Sequence, residues 1–291
     1  MKKYHIIANP VAGKAKNKGT KNLETAEAVF TANGALFETH VSQVKGDAMQ
    51  IARKLTENGE TEIIALGGDG TLHEVLNGLA DPTACHLGLI PSGTGNDFAE
   101  HLGLSLDAEK ATNLILSTQP KDTDFLEVGG HRCMNVGGMG IDVDVLERCE
   151  RGRLKGKMKY LFSLIQSVFK FKGLKIEVQS GDYVKTHNAL IANACNGSQF
   201  GGGIKICPSA QSDDKKLNAV IVDFIDGKMK LVKAFIQLMK GKILEYPKTT
   251  HFLCDRMRVV PETPCTMQLD GELYKDLVFD VTLKSGLKFY R

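Results

Sequence analysis

The chain has no tryptophan, only 8 prolines, no low-complexity stretch and no internal repeat. With 42% hydrophobic and 24% charged residues, its composition is that of a globular protein without fibrous or disordered bias. Excess charge is also lacking: a formal net charge of +3 is too small to imply a nucleic-acid partner, so any basic site must come from local clustering. Cys85, Cys133, Cys149, Cys195, Cys207, Cys254 and Cys265 form no C-x-x-C pair and have no histidine partner at metal spacing. They read as reduced core residues of a cytosolic protein, not as zinc ligands or a disulfide framework. The apolar stretch within MKKYHIIANP ends after a few residues, short of a signal peptide or a membrane span, so the expected location is cytoplasmic.

What is present falls into two textures. From Lys3 to about Asp124, strand-like runs (YHIIAN, LFETHV, EIIAL, HLGLI) alternate with helix-like segments at Thr20–Asn33, Asp47–Asn58 and after Thr71. Such alternation predicts βαβ units and a parallel sheet. From about Phe125 the chain turns to short runs (KIEVQS, NALIANACN, NAVIVDFI, MRVVPE, CTMQLD, VFDVTLK, LKFYR), the pattern of an antiparallel sandwich. Helical patterns interrupt it at Lys157–Phe171 and Met229–Lys240. The expected organisation is an α/β domain over 1–124 and a β-sandwich domain over 125–291, the last residues packing back on the first domain.

The run EIIAL ends in Gly67-Gly68-Asp69-Gly70-Thr71. In open parallel sheets ligands bind at the carboxyl edge, and glycines there permit positive φ and close backbone approach. Thr71 and Glu74 fit a capping box, which predicts a helix whose free amides face the turn and favour a phosphate. A tight strand-to-helix turn without a ligand is the plainer alternative. Asn9-Pro10-Val11-Ala12-Gly13 and Pro91-Ser92-Gly93-Thr94-Gly95-Asn96-Asp97 also follow strands, and three such turns point to one ligand edge. A Walker A loop is excluded by Ala8 and Ala15, and no dinucleotide fingerprint, hydrolase elbow or H-E-x-x-H is present.

The ordered set N-P-x-A-G at Asn9, GGDGT at 67–71, PSGTGND at 91–97, FGGGIKICPSA at 200–210 and DGE at 270–272 resembles the diacylglycerol kinase catalytic family, which includes bacterial soluble lipid kinases and sphingosine kinases. The resemblance covers nearly the whole chain. It implies an N-terminal nucleotide domain, a C-terminal β-sandwich and transfer of the γ-phosphate of Mg-ATP to a membrane lipid, diacylglycerol first. Phosphatidylglycerol, a sphingoid base, ceramide or a prenol would use the same chemistry. A soluble-substrate kinase of the NAD-kinase type, which shares GGDGT, and a non-catalytic nucleotide-binding regulator are the rivals.

Carried over, the resemblance implies ATP contacts at Asn9, Ser42, Gly67, Gly68, Asp69, Gly70, Thr71, Glu74 and Thr94. Ser42 stands where relatives often have Thr, and His73 where many bacterial relatives have Asn. Glu272 matches the catalytic glutamate, the base for the lipid hydroxyl. Asp97 and Asp124 are further acids that either hold magnesium through water, brace the site, or serve as a helix cap and a strand-end acid. A structural magnesium would take Asp213 and the backbone carbonyls of Lys216 and Asn218, although Lys215 replaces the usual glycine. Relatives also imply a homodimer.

A lipid substrate calls for membrane contact. Arg151, Arg153, Lys155, Lys157, Lys159, Lys170 and Lys172 surround YLFSLIQSVF, which predicts peripheral binding to an anionic surface. The helix KMKLVKAFIQLMKGK, with Leu231, Phe235, Leu238 and Met239 on one stripe, is the second candidate. In both, the apolar stripe also suits the domain core.

Overall fold

The fold is taken from a computed structural model that describes residues 2–10, 17–151, 166–167, 170–275 and 278–291. β1 (Lys3–Ala8) carries KYHIIA with five successive buried residues, the mark of a strand covered on both faces. It is followed by α1 (Lys18–Ala32), β2 (Leu36–Val41), α2 (Asp47–Glu57), β3 (Glu62–Gly67), α3 (Asp69–Gly78), β4 (His86–Pro91), α4 (Asp97–His101) and α5 (Ala108–Ser117). The four strands pair in parallel in the order β2-β1-β3-β4. Tyr4, Ile6, Phe30, Ile64 and Ile115 form one core beneath α1 and α5, while α2 and α3 pack together and against β1 and β3. Strand order reverses between β1 and β3, so the carboxyl ends of these two strands flank the place where doubly wound sheets bind ligands.

β5 (Lys121–Val128), β6 (His131–Cys133), β7 (Val136–Gly140), α6 (Ile141–Arg151), β8 (Leu174–Ser180), β9 (Tyr183–Cys195) and β10 (Leu217–Asp223) come next. The chain ends with α7 (Lys228–Met239), β11 (Thr249–Cys254), β12 (Arg256–Pro261), β13 (Met267–Leu269), β14 (Glu272–Tyr274) and β15 (Phe279–Phe289). Apart from β15's last residues, these strands pair antiparallel. β9 is the organiser: its first half pairs with β8, and its second half lies between β7 and β10. A bulge at Leu190 breaks the alternation there, so Leu190 and Ile191 both join the core under α7 with Val222, Leu231 and Ala234. The opposite core holds Val178, Ala192, Ile221, Met257 and Phe279.

Two compact units result, Met1–Asp124 with Ser285–Arg291, and Phe125–Lys284. The returning tail has a physical anchor within the first unit. Lys288 and Phe289 pair in parallel with His86 and Leu87, and the buried Tyr290 donates a 2.5 Å hydrogen bond from its hydroxyl to Glu62.

Several sequence expectations are revised. VFDVTLK and LKFYR are one strand, β15, since Gly286 carries the chain through at φ 104°. α5 and α6 had no counterpart in the pattern reading; Asp107, whose carboxylate accepts from Lys110 N at 3.0 Å, caps the first of them. The helix expected over Lys157–Phe171 lies mostly outside the described residues, as do residues 11–16 of the first small-residue turn. All seven cysteines are free, and four of them are buried.

Candidate active site

The glycine turn is built by backbone contact between two loops. α3 begins at Asp69 with Gly68 as its N-cap in extended conformation (φ −99°), and no side chain caps it. The capping box expected from Thr71 and Glu74 is therefore absent: the N-cap lies three residues earlier, at Gly68, and Glu74 Oε1 instead accepts from Gly46 N at 2.9 Å. That bond ties α3 to the turn that opens α2. A Cβ on Gly68 would lie 2.9 Å from Gly93 Cα, one on Gly93 would lie 2.4 Å from Gly68 Cα, and one on Gly67 would strike the Thr71 side chain. The bare positions are thus accounted for first by loop-on-loop packing, with close approach and not positive φ as the reason for glycine at 68.

The second loop is held in the same way. Ser92 N donates to Gly67 O at 2.7 Å, and Asn22 Nδ2 donates to Ser92 Oγ at 3.1 Å. Asn96, in left-handed conformation at φ 55°, accepts from Gly93 N and donates to Gly93 O, closing a small ring. Asp69 Oδ1 accepts from Phe98 N at 3.3 Å, and a Cβ on Gly95 would lie within 3.3 Å of carboxylate oxygens of both Asp69 and Asp97. Asp97 is buried as the first residue of α4, while Thr94 at the loop tip is exposed. Asn9 N donates to Leu66 O, and buried Ser42 donates from N and Oγ to Ala8 O, so the ends of β1, β2 and β3 are stitched at one edge. The structure accordingly gathers Asn9, Ser42, Gly67, Gly68, Asp69, Gly70, Thr71, Glu74, Thr94 and Asp97 at the carboxyl edge of the parallel sheet. Asp124, buried on β5, accepts a 2.5 Å hydrogen bond from Ser285 Oγ.

In the second unit, Glu272 opens β14 directly after a two-residue hairpin turn, with Leu269 opposite Glu272. Asp270 (φ 53°) and Gly271 (φ 89°) both have positive φ, the type I′ turn for which Asp-Gly is suited. Asp270 anchors this hairpin: its carboxylate accepts from Met134 N at 2.7 Å, Asn135 N at 2.8 Å and Val136 N at 3.3 Å. Behind it, Gly271 N donates to Gln268 Oε1 at 2.9 Å and Gln268 Nε2 donates to Asp142 Oδ2 at 3.1 Å. Burial pushes the Asp142 carboxyl up to about 6, even though the Gln268 bond favours its charged form. Burial, and then the nearby charges of Glu272 and Asp270, push the Tyr274 phenol up to about 12. The sequence reading missed Asp142, Gln268 and the anchoring role of Asp270. The Asp-Gly pair between two short apolar runs was the available signal for the turn, but Asp142 and Gln268 carry none, because they meet only through the fold.

The turn at 213–218 retains the backbone that a glycine would favour: Lys215 sits at φ 59°. Lys216 N donates to Asp214 Oδ1 at 2.9 Å, and Lys216 Nζ is paired with Asp255 at 2.7 Å. Asp213 is exposed and Asn218 is buried at the start of β10. The ammonium of Lys216 is thus occupied elsewhere, and the groups that the resemblance assigns to magnesium, the Asp213 carboxylate and the carbonyls of Lys216 and Asn218, are all oxygens, the ligand type that this ion takes. A separate His5, Glu38 and His40 cluster lies toward the opposite end of β1, where its groups answer one another: Lys3 Nζ reaches Glu38 at 2.7 Å and His5 Nδ1 faces His40 Nε2 at 3.1 Å.

The diacylglycerol kinase catalytic domain matches residues 3–128, and the YegS C-terminal NAD kinase beta sandwich-like domain matches residues 135–286. A protein of Xanthomonas euvesicatoria pv. vesicatoria described as "Probable lipid kinase YegS-like" is 28% identical over 268 residues, 88% of this chain and 87% of the relative. One of Stenotrophomonas maltophilia with the same description is 28% identical over 284 residues, 93% of this chain and 89% of the relative. A solved structure of a diacylglycerol kinase from Bacillus anthracis str. Sterne shares the fold, with a TM-score of 0.79 at 22% identity over 99% of this chain and 96% of that one. The chain belongs to the diacylglycerol kinase catalytic family, with the YegS-type sandwich as its second domain.

Proposed function

We propose that this protein is an ATP-dependent lipid kinase that transfers the γ-phosphate of Mg-ATP to the hydroxyl of a membrane lipid, with diacylglycerol giving phosphatidic acid as the first substrate to test. The observation that carries the reading is the pair of interlocked turns, Gly67–Thr71 and Pro91–Asp97, at the carboxyl edge where strand order reverses. Amides at the start of α3 offer hydrogen bonds to phosphate oxygens, and the positive end of the helix dipole favours their charge. Asn9, Ser42, Thr94 and Glu74 border that edge and orient the nucleotide.

Glu272 is the proposed general base. Phosphoryl transfer requires little covalent help from the protein; it needs the hydroxyl oriented, its proton accepted and the negative charge balanced. Placing a carboxylate on a rigid two-residue hairpin, braced by Asp270 and the Gln268–Asp142 chain, serves the first two needs. Asp97 and Asp124 brace the first unit or hold magnesium through water. Magnesium, when bound with the nucleotide, neutralises charge developing on the phosphoryl oxygens, and a second ion held by Asp213, Lys216 and Asn218 would fix the loop before β10.

A second reading is favoured by one finding, the likeness of the second domain to the NAD kinase sandwich. Labelled phosphate from Mg-ATP, offered in parallel to diacylglycerol, phosphatidylglycerol, a sphingoid base and ceramide in mixed micelles and to NAD in solution, separates the two. Label on a lipid and none on NAD is expected; label on NAD alone overturns the lipid reading.

A further inference from the structure

α7 is apolar on more than one side. Leu231 and Ala234 are buried against Leu190, Ile191 and Val222 of the sheet. Met229, Val232, Ile236 and Met239 are instead 73, 37, 45 and 49% exposed. Their spacing of three, four and three residues puts them on a single stripe of about 80° at 100° per residue. Four large apolar side chains aligned on the outer face of one helix form a contiguous patch, not the scattered exposure expected of a soluble surface.

Charge borders that stripe on one side. Lys230, Lys233 and Lys240 are exposed and follow it around the helix, with exposed Lys242 just beyond the helix end. From Gly227 to Leu244 the sequence contains five lysines and no acidic residue. An apolar stripe flanked by lysines is matched to the acyl boundary and headgroups of an anionic bilayer. α7 has 12 residues, well short of the roughly 20 that a spanning helix needs, and no helix among the described residues is long and apolar enough to cross a membrane. The helix is therefore suited to lie on the interface, its inner face held by the protein and its outer face in lipid.

We infer that the outer face of α7 is a membrane-docking surface for anionic lipid, with Met229, Val232, Ile236 and Met239 inserting and Lys230, Lys233 and Lys240 meeting the headgroups. The inference deepens the lipid-kinase reading and rests on it for its biological sense, since docking brings the enzyme to a substrate that does not leave the bilayer. Its position differs from the basic segment Arg148–Lys175, most of which lies outside the described residues.

The test is sedimentation of the full-length protein with vesicles of phosphatidylcholine, with and without phosphatidylglycerol. The variants are Ile236→Glu/Met239→Glu and Lys230→Ala/Lys233→Ala, all at exposed positions and each checked by thermal melting. Wild type is expected to bind the anionic vesicles. The lysine pair should weaken binding about 25-fold, at about fivefold per residue, and the glutamate pair should abolish it. Turnover of a short-chain diacylglycerol in free solution should stay at the wild-type level in both variants. Equal vesicle binding by wild type and variants overturns the inference, as does a wild type that phosphorylates micellar lipid without binding vesicles. A wild type that dimerises through this stripe, becoming monomeric on Ile236→Glu/Met239→Glu with vesicle binding unchanged, overturns it too. Vesicle binding without transfer to any lipid would instead defeat the kinase reading and leave the docking surface standing.

Discussion

At the scale of single residues, the unusual group is Asp142, a fully buried carboxyl one hydrogen bond behind the Gln268 that supports the Asp270–Gly271 turn. Its carboxyl titrates near 6 in the fold, against about 3.9 in an unfolded chain, because burial penalises its charge. A raised pKa gives stability that is complete below about pH 4 and is lost as pH rises through 6. Asp142→Asn keeps the acceptor for Gln268 and removes the charge. The variant should be more stable than wild type at pH 7 to 8, by up to about 3 kcal/mol in denaturant unfolding, and match it near pH 4. An equal shift at both pH values would mean that the carboxyl is not the cause.

Among the elements, the two small-residue turns depend on each other. Gly93→Ala puts a Cβ 2.4 Å from Gly68 Cα, a backbone contact that no flexible side chain can relieve. The variant should lose about 1–3 kcal/mol of stability and bind ATP more weakly, since one loop must shift away from the other. Melting and ATP titration like wild type would show that the turns tolerate separation. These elements also show what sequence can carry. β1, β2, β3 and β4 and the small-residue turns after β3 and β4 were legible because apolar runs, glycines and strand ends are local features. The tertiary demands on them were not. Glu74 looked like a capping partner of Thr71 but is drawn to Gly46 N, and the glycines that looked like room for a phosphate also make room for each other. α5 and α6 were missed although both are amphipathic and Asp107 caps the first, whereas the Leu190 bulge in β9 follows from pairing with β10 and has no local signal.

In the whole molecule, the last seven residues belong to the first unit while the chain between Phe125 and Lys284 forms the second. Tyr290 is the anchor of that return, 1% exposed, with its ring near Tyr4 and its hydroxyl on Glu62. Burial pushes the Glu62 carboxyl up, but hydrogen bonds from Tyr290, His86 and Lys2 outweigh it and hold the group below its usual range. Tyr290→Ala empties a packed site and orphans part of that network. It should cost about 3–5 kcal/mol in denaturant unfolding of the first unit, and an unchanged midpoint would show that the tail is dispensable.

Glu272 is the proposed base for phosphate transfer, and the glycine turns are the proposed nucleotide cradle. The most direct test is Glu272→Gln, with ATP affinity and turnover on the preferred lipid measured side by side. ATP affinity within about twofold of wild type, with turnover reduced at least 10²-fold as expected on removal of a general base, is the predicted result. Turnover that survives the substitution, or that falls only in step with ATP affinity, would contradict the assignment.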